Sequence, residues 1–169
     1  MSENKLIIVD KNDKIVGYSD KQDCHKGDGI LHRAFSIYII NKDEMLIQKR
    51  SKNKLLWPLY WSNSCCGHPR KGESYEQAAN RRLREELGFK TDLGLVDKFA
   101  YQAKFLDIGS ENEICAIFTG TYKGKINPNL EEIAELKWVD VDELKMDMFC
   151  NNPDKYTPWF KLGFRKLRF

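Results

Sequence analysis

The chain has 169 residues, of which 41% are hydrophobic and 31% charged, and its formal net charge is +3. That length suits a single domain over residues 1–169 with one substantial core. The small positive surplus argues against nucleic acid as a partner and suits a site for a small anion. No apolar run approaches bilayer length, and residues 1–10 lack a basic stretch, a long apolar run and a cleavage site. A cytoplasmic protein without membrane contact is the expectation.

In chain order, residues 6–9 and 15–18 form a hairpin around Lys11, Asn12, Asp13 and Lys14. The polar, glycine-containing 21–30 reads as a loop. Residues 34–40 are rich in aromatic and β-branched side chains, and 45–48 follow a turn at Asn41, Lys42, Asp43 and Glu44, which predicts a second hairpin. Residues 55–61, dense in aromatics around Pro58, read as irregular. Ser74 is placed to cap a helix, with Gln77 as its capping-box partner. Ala79, Leu83 and Leu87 recur every four residues as the buried stripe of that helix, and Gly88 ends it. Residues 93–103, 113–122 and 135–139 read as strands. Asp140 caps a helix over 141–149, and Pro158 opens a last helix with Phe160, Phe164 and Leu167 on one face. These elements predict an α+β fold, sandwich-like, with a mixed sheet flanked by helices.

The five cysteines are Cys24, Cys65, Cys66, Cys115 and Cys150. Their odd count and their spacing fit neither a disulfide framework nor a paired zinc motif. Four of them are expected to be small buried hydrophobes. Cys66 stands apart because Gly67 and His68 follow it.

The only histidines are His25, His32 and His68. A lone histidine is ordinarily just a hydrogen-bonded side chain, but Glu111 and Glu113 change the weighing. On an extended strand, side chains two apart face the same way, and paired carboxylates on one face call for a cation. An acidic turn after Gly109 and Ser110 is an equal alternative. Three imidazoles and two carboxylates suit Mn²⁺, Fe²⁺ or Zn²⁺ and leave one octahedral position open.

From Gly67 to Phe89 the chain fits G-x5-E-x7-R-x-U-x-E-E-x-G-U, where U is a large apolar residue. That pattern resembles the Nudix box, a loop–helix–loop that holds a diphosphate through divalent metal. The usual Arg-Glu pair is Arg81 and Arg82 here, which argues against an ordinary Nudix hydrolase. Glu86 reads either as a solvated ion pair with Arg82 or as a Mg²⁺ ligand beside phosphate oxygens. Glu73 and Glu85 suit helix-surface charges equally well. Lys21, Arg50, Lys54, Arg70, Lys71 and Arg82 are candidates for binding a diphosphate, Arg50 and Arg82 being the better bidentate partners.

Asn63-Ser-Cys-Cys-Gly-His-Pro69, Glu111-Asn-Glu-Ile-Cys115, the His25/His32 spacing and Thr157-Pro-Trp159 occur together. In combination they resemble the type 1 isopentenyl-diphosphate isomerases, Nudix-fold enzymes of isoprenoid biosynthesis, over nearly the whole chain. The resemblance implies interconversion of isopentenyl and dimethylallyl diphosphate by a proton shift through a carbocation. It implies Cys66 and Glu113 as catalytic residues, with Tyr101 and Trp159 near the hydrocarbon. His25, His32, His68, Glu111 and Glu113 would hold Mn²⁺ or Zn²⁺. Glu86 and the Cys66 carbonyl would hold Mg²⁺, and Lys21, Arg50, Lys54 and Arg82 would bind the diphosphate. A dry wall is needed against trapping of the cation by water. Trp61, Tyr101 and Trp159 could supply it, whereas Trp57 and Tyr60 are better read as core. Cys65 stands where the family often has an aliphatic residue. The expected partner is one small-molecule diphosphate, bound by a monomer or weak homodimer. The competing classes are a Nudix hydrolase and a non-catalytic metal- or RNA-binding module.

Overall fold

The computed structural model describes residues 4–169. Its elements are β1 (Leu6–Val9), β2 (Ile15–Ser19), α1 (Lys21–Cys24), β3 (His32–Asn41), β4 (Glu44–Arg50), β5 (Trp61–Ser62), β6 (Cys65–Gly67), α2 (Tyr75–Leu87), β7 (Gly94–Phe105), β8 (Gly109–Gly120), β9 (Ile133–Asp140), α3 (Val141–Met146) and α4 (Pro158–Phe164). β3 is the hub of a mixed sheet. It pairs antiparallel with β1, β4 and β6 and parallel with β8, while β7 extends the sheet beyond β8 and β9 beyond β4.

The strands of this hub bury both faces, so their side chains alternate between two cores. Ile37 and Ile39 of β3, Leu46 of β4, and Ala116 and Phe118 of β8 pack with Ala79, Leu83 and Leu87 of α2. Tyr38, Met45, Ile47, Cys115 and Ile117 point the other way, onto Leu144 of α3 and Phe160 and Phe164 of α4. The sheet therefore lies between α2 on one face and α3 with α4 on the other. Helix α2 begins with the expected capping box, in which the Ser74 hydroxyl accepts from the Gln77 N–H and the Gln77 side chain accepts from the Ser74 N–H. It ends at Gly88, whose φ is 75°.

Several boundaries differ from the sequence reading. Residues 21–24 form a short helix within the expected loop, because the Cys24 N–H reaches the Asp20 carbonyl and closes one turn. β8 begins at Gly109 rather than at residue 113, and the turn is Leu106–Ile108. The strand thus takes in Glu111, and the alternative of an acidic turn falls. The helix expected over 141–149 is α-helical only to Met146, and Asp147–Asn151 continue it as a π-helix. Residues 55–60 are irregular as expected, with Trp57 and Leu59 at positive φ. Leu167 falls outside α4 but still packs on that core. Cys24, Cys65 and Cys115 are buried, whereas Cys150 is exposed, since the π-helical turn carries it to the outer face. Among the described residues no helix is long and apolar enough to cross a membrane.

Leu83 is fully buried between α2 and the sheet. Its replacement by alanine is expected to cost about 2–5 kcal/mol of stability, as for other buried leucines. Urea unfolding monitored by circular dichroism measures that loss.

Candidate active site

Parallel pairing of β3 with β8 sets His32 opposite Glu113. β7 brings Tyr101 to the other side of Glu113. Glu111 and Glu113 share one face, and His25, His32 and His68 close around them. One ligand atom from each of these five residues lies within 4.8 Å of the other four. Ligands on opposite sides of an ion bonded at about 2.0–2.2 Å stand about 4.0–4.4 Å apart, so the cluster is the right size for one metal.

Hydrogen bonding prepares this donor set. His25 Nδ1 lies 2.6 Å from the Lys21 carbonyl and His32 Nδ1 lies 2.6 Å from the Ile30 carbonyl. A carbonyl only accepts, so each Nδ1 carries a proton and each Nε2 is the ring atom turned inward. There the Nε2 atoms meet carboxylate oxygens, at 2.9 Å for His25 and Glu111 and 3.5 Å for His32 and Glu113. The buried His32 Nε2 and Glu111 Oε2 have no hydrogen-bond partner among the described residues. Buried polar atoms left without a partner beside converging imidazoles and carboxylates are what a divalent cation satisfies, so these residues fit a metal.

The groups also perturb one another. Burial raises the proton affinity of Glu113, but His32 and Tyr101 more than offset it and hold the carboxyl below its usual range. The Tyr101 hydroxyl donates to Glu113 at 2.5 Å. Burial draws His68 well below the ordinary histidine value, reinforced by His32 and His25, whereas Glu111 lifts His25 above it against burial.

Glycine at 109 is required by close approach. A Cβ there would stand 2.3 Å from the His25 carbonyl oxygen, which accepts the Ser110 N–H at 3.0 Å. This contact pins the His25 turn to the start of β8.

Cys66 comes from the opposite flank of β3, paired with Ser36. It lines a cavity of about 470 Å³ together with Glu113, Tyr101 and Trp159. Burial pushes its thiol up to about 11, against the pull of Arg50 and with the help of Glu86, so at neutral pH it carries its proton. The turn before Cys66 is held by buried polar side chains rather than by a regular ladder. Asn63 Nδ2 donates to the Cys65 carbonyl at 2.7 Å and to the Ile37 carbonyl at 3.1 Å. The Ser64 hydroxyl bridges the Ile39 N–H and the Leu46 carbonyl. Ser62 accepts from the Trp159 indole N–H at 3.1 Å, which ties α4 to the same turn. Gly67 lets this strand approach α2, because a Cβ there would sit 3.1 Å from both Arg82 Cγ and Phe35 Cζ.

The other end of the cavity is charged. Arg50 donates through Nε and Nη2 to the Trp57 and Leu56 carbonyls, and its guanidinium lies 5.1 Å from the Trp159 ring centroid. Arg82 donates to Glu85, Glu86 and Glu132, and Lys54 is paired with Glu132. Lys21 lines the same cavity. It is exposed as a residue, but burial of its ammonium, with Lys54 and Arg82 near, holds its pKa below the usual lysine range. Glu86 is buried, not solvated, and its second oxygen accepts from Gln48 Nε2 at 3.1 Å.

Residues 30–160 match the NUDIX domain family. Isopentenyl-diphosphate Delta-isomerase 2 of Photorhabdus laumondii is 45% identical over 158 residues, covering 92% of this chain and 88% of that protein. The isopentenyl-diphosphate Delta-isomerase of Burkholderia multivorans is 39% identical over 159 residues, covering 94% and 89%. The chain belongs to the isopentenyl-diphosphate Delta-isomerase family, within the Nudix superfamily. Among solved structures, a Deinococcus radiodurans protein aligns at a TM-score of 0.78 and 20% identity, covering 97% of this chain and 99% of that one. A MutT NUDIX hydrolase from Burkholderia pseudomallei aligns at 0.65 and 16% identity, covering 82% and 98%. At those identities the likeness is one of fold.

Not every residue singled out in this isomerase-family sequence reaches the cavity. Arg70 lines it, but Lys71 lies over the Tyr18 ring at 5.0 Å instead. Trp61 sits at the sheet edge beneath Lys137, so of the three aromatics expected to form a dry wall only Tyr101 and Trp159 line the cavity. Trp57 and Tyr60 pack in the core with Phe105. Glu73 is no simple surface charge, because it clamps Arg81 and the Arg70 N–H at the entry to α2. Gln48 and Glu132 were not singled out from the sequence. Gln48 carries no local signal for its role, and Glu132 is one of several acids near β9.

Two outcomes are expected. Gly109→Ala should displace His25 and weaken divalent-metal binding about tenfold or more, the scale of losing a supporting contact around a metal ligand. Elemental analysis after dialysis reads this directly. Burial pushes Glu132 up, but Lys54 and Arg82 hold it down to about 2, below the ordinary 4.5. Its stabilising contribution is therefore complete above about pH 4.5 and is lost as pH falls toward 2. The stability difference between wild type and Glu132→Gln, from urea unfolding, should be largest above pH 5 and narrow toward pH 2.

Proposed function

We propose that the chain interconverts isopentenyl diphosphate and dimethylallyl diphosphate, with Cys66 and Glu113 as the acid–base pair. The observation that carries this reading is that both side chains enter one cavity from strands on opposite flanks of β3, and that the same cavity is lined by Lys21, Arg50, Lys54 and Arg82 and by Tyr101 and Trp159.

The five-carbon unit would lie along Trp159 and Tyr101, with its diphosphate toward Lys21, Arg50, Lys54 and Arg82. Protonation of the terminal alkene carbon produces a tertiary carbocation, and loss of a proton from the carbon on the far side of the cationic centre completes the shift. One member of the pair delivers the first proton and the other removes the second. Because the reaction is reversible, each serves as acid in one direction and base in the other. The pair stands with a protonated thiol and an ionised carboxylate, so it holds one transferable proton. Trp159 is fixed by its bond to Ser62 and by an edge contact with Trp57 at 5.3 Å, and its π electrons favour a cation nearby. Tyr101 fixes the Glu113 carboxyl through its hydroxyl.

Mn²⁺ or Zn²⁺ held by His25, His32, His68, Glu111 and Glu113 would lock the Glu113 carboxyl in place and lower its basicity. Mg²⁺ at Glu86 and the Cys66 carbonyl would neutralise diphosphate charge. Hydrolysis is the weaker reading, because α2 presents one buried carboxylate, Glu86, while Glu85 is exposed and paired with Arg81 and Arg82.

Purified protein with isopentenyl diphosphate in deuterated water should give deuterium-labelled dimethylallyl diphosphate by NMR. Cys66→Ala and Glu113→Gln should each lower the rate by about 10²–10⁴-fold or more while the circular dichroism spectrum is retained. Turnover retained in both variants, or release of inorganic phosphate instead of isomer, would defeat the assignment.

A further inference from the structure

Glu132 lies just before β9 and lines the cationic end of the cavity. One of its oxygens is paired with Lys54 Nζ and the other lies 3.2 Å from Arg82 Nη2. The backbone holds it there. Its N–H donates to the Asn129 carbonyl and its carbonyl accepts the Ser51 N–H, both at 3.0 Å. The carboxylate is thus presented by a fixed turn and stays ionised at any physiological pH.

The cost to the cavity is charge. Arg82 already gives Nη1 to Glu85 and shares Nη2 between Glu86 and Glu132. Arg50 has turned Nε and Nη2 to backbone carbonyls. Of the four cationic side chains, Lys54 and Arg82 already face carboxylates, while Lys21 makes no ion pair among the described residues. A bare diphosphate entering here meets two carboxylates, Glu86 and Glu132, beside partly neutralised cations. A diphosphate accompanied by a divalent cation brings less negative charge, and like-charge repulsion falls accordingly.

We propose that Glu132 is a specificity-determining residue: by occupying Lys54 and Arg82 it rejects bare diphosphate and makes diphosphate binding conditional on a divalent cation. This rests on the reading of Lys21, Arg50, Lys54 and Arg82 as the diphosphate end of the site. Glu132 is a positioning and screening group that does not touch the reacting carbons.

Inorganic pyrophosphate is the probe, titrated calorimetrically into wild type and Glu132→Gln, once in EDTA and once in saturating Mg²⁺. In EDTA the glutamine variant should bind about fivefold or more tighter than wild type, within the usual range of coupling between two bound species. In Mg²⁺ the two proteins should differ less, so the ratio of the two dissociation constants shrinks. Glu132→Asp, which keeps the charge, should discriminate like wild type. Glu132→Ala gives the same readout as the glutamine variant should that one not fold. Unchanged or weaker binding of bare pyrophosphate by the neutral variants overturns the proposal, as does Glu132→Asp behaving like Glu132→Gln. Failure of the wild type to bind pyrophosphate even with Mg²⁺ overturns the diphosphate reading itself and the proposal with it.

Discussion

The parallel register of β3 and β8 is the constraint on which the site depends. It places His32 beside Glu113, and the alternation of a strand does the rest. On one face of β3 run His32, Ala34, Ser36 and Tyr38, and on the matching face of β8 run Glu111, Glu113, Cys115 and Ile117. The cavity and the core under α4 are consequently two ends of one stripe, polar at one end and apolar at the other. A slip of one residue in β8 would turn both carboxylates to the α2 face, and a slip in β3 would do the same to His32 and Tyr38. Register, metal cluster and core are therefore specified together.

Burial of so many charges needs compensation, and the structure provides it pair by pair. Glu86 sits under α2, held by Arg82 and by the Gln48 amide. Glu113 has Tyr101 and two imidazoles, and Glu111 has His25. Unpaired, each such carboxylate would cost several kcal/mol or would take up a proton. The orphaned atoms of His32 and Glu111 are the part of the cluster that protein groups leave unmet, and they mark where a cation belongs. The Cys66 turn is handled in the same way. Its backbone leaves regular pairing at residues 63–64, and the side chains of Asn63 and Ser64 replace the lost ladder. The serine and asparagine preceding the cysteine are thus structural necessities of the turn that presents the thiol.

Much of the fold was legible because its signals are local. The capping box at Ser74 and Gln77, the stripe of Ala79, Leu83 and Leu87, the stop at Gly88 and the Asp140 cap all act within one helical turn or a few. Elements misjudged from sequence were those whose state depends on distant partners. β8 starts four residues early because β7 pairs with it through Glu111 and Gly109. α3 passes into a π-helical turn at Asp147, whose carboxyl is engaged by Tyr156 and Asn152. Cys150 is exposed because that turn rotates it outward.

By itself, the sequence determined the chemistry available: one motif loop with a cysteine and a histidine, two further histidines, two alternating glutamates and a helix carrying Glu86. Residue type and short-range spacing carry that information, and the motif residues are close in the chain. Only the tertiary structure decided which of these groups meet. It gathered five candidate ligands from β3, β8 and the residues just after α1 and β6, set Cys66 and Glu113 on opposite flanks of β3, removed Lys71 and Trp61 from the cavity, and brought in Gln48 and Glu132. The reason is physical: strand pairing and helix packing join residues tens of positions apart, and no local pattern encodes which ones.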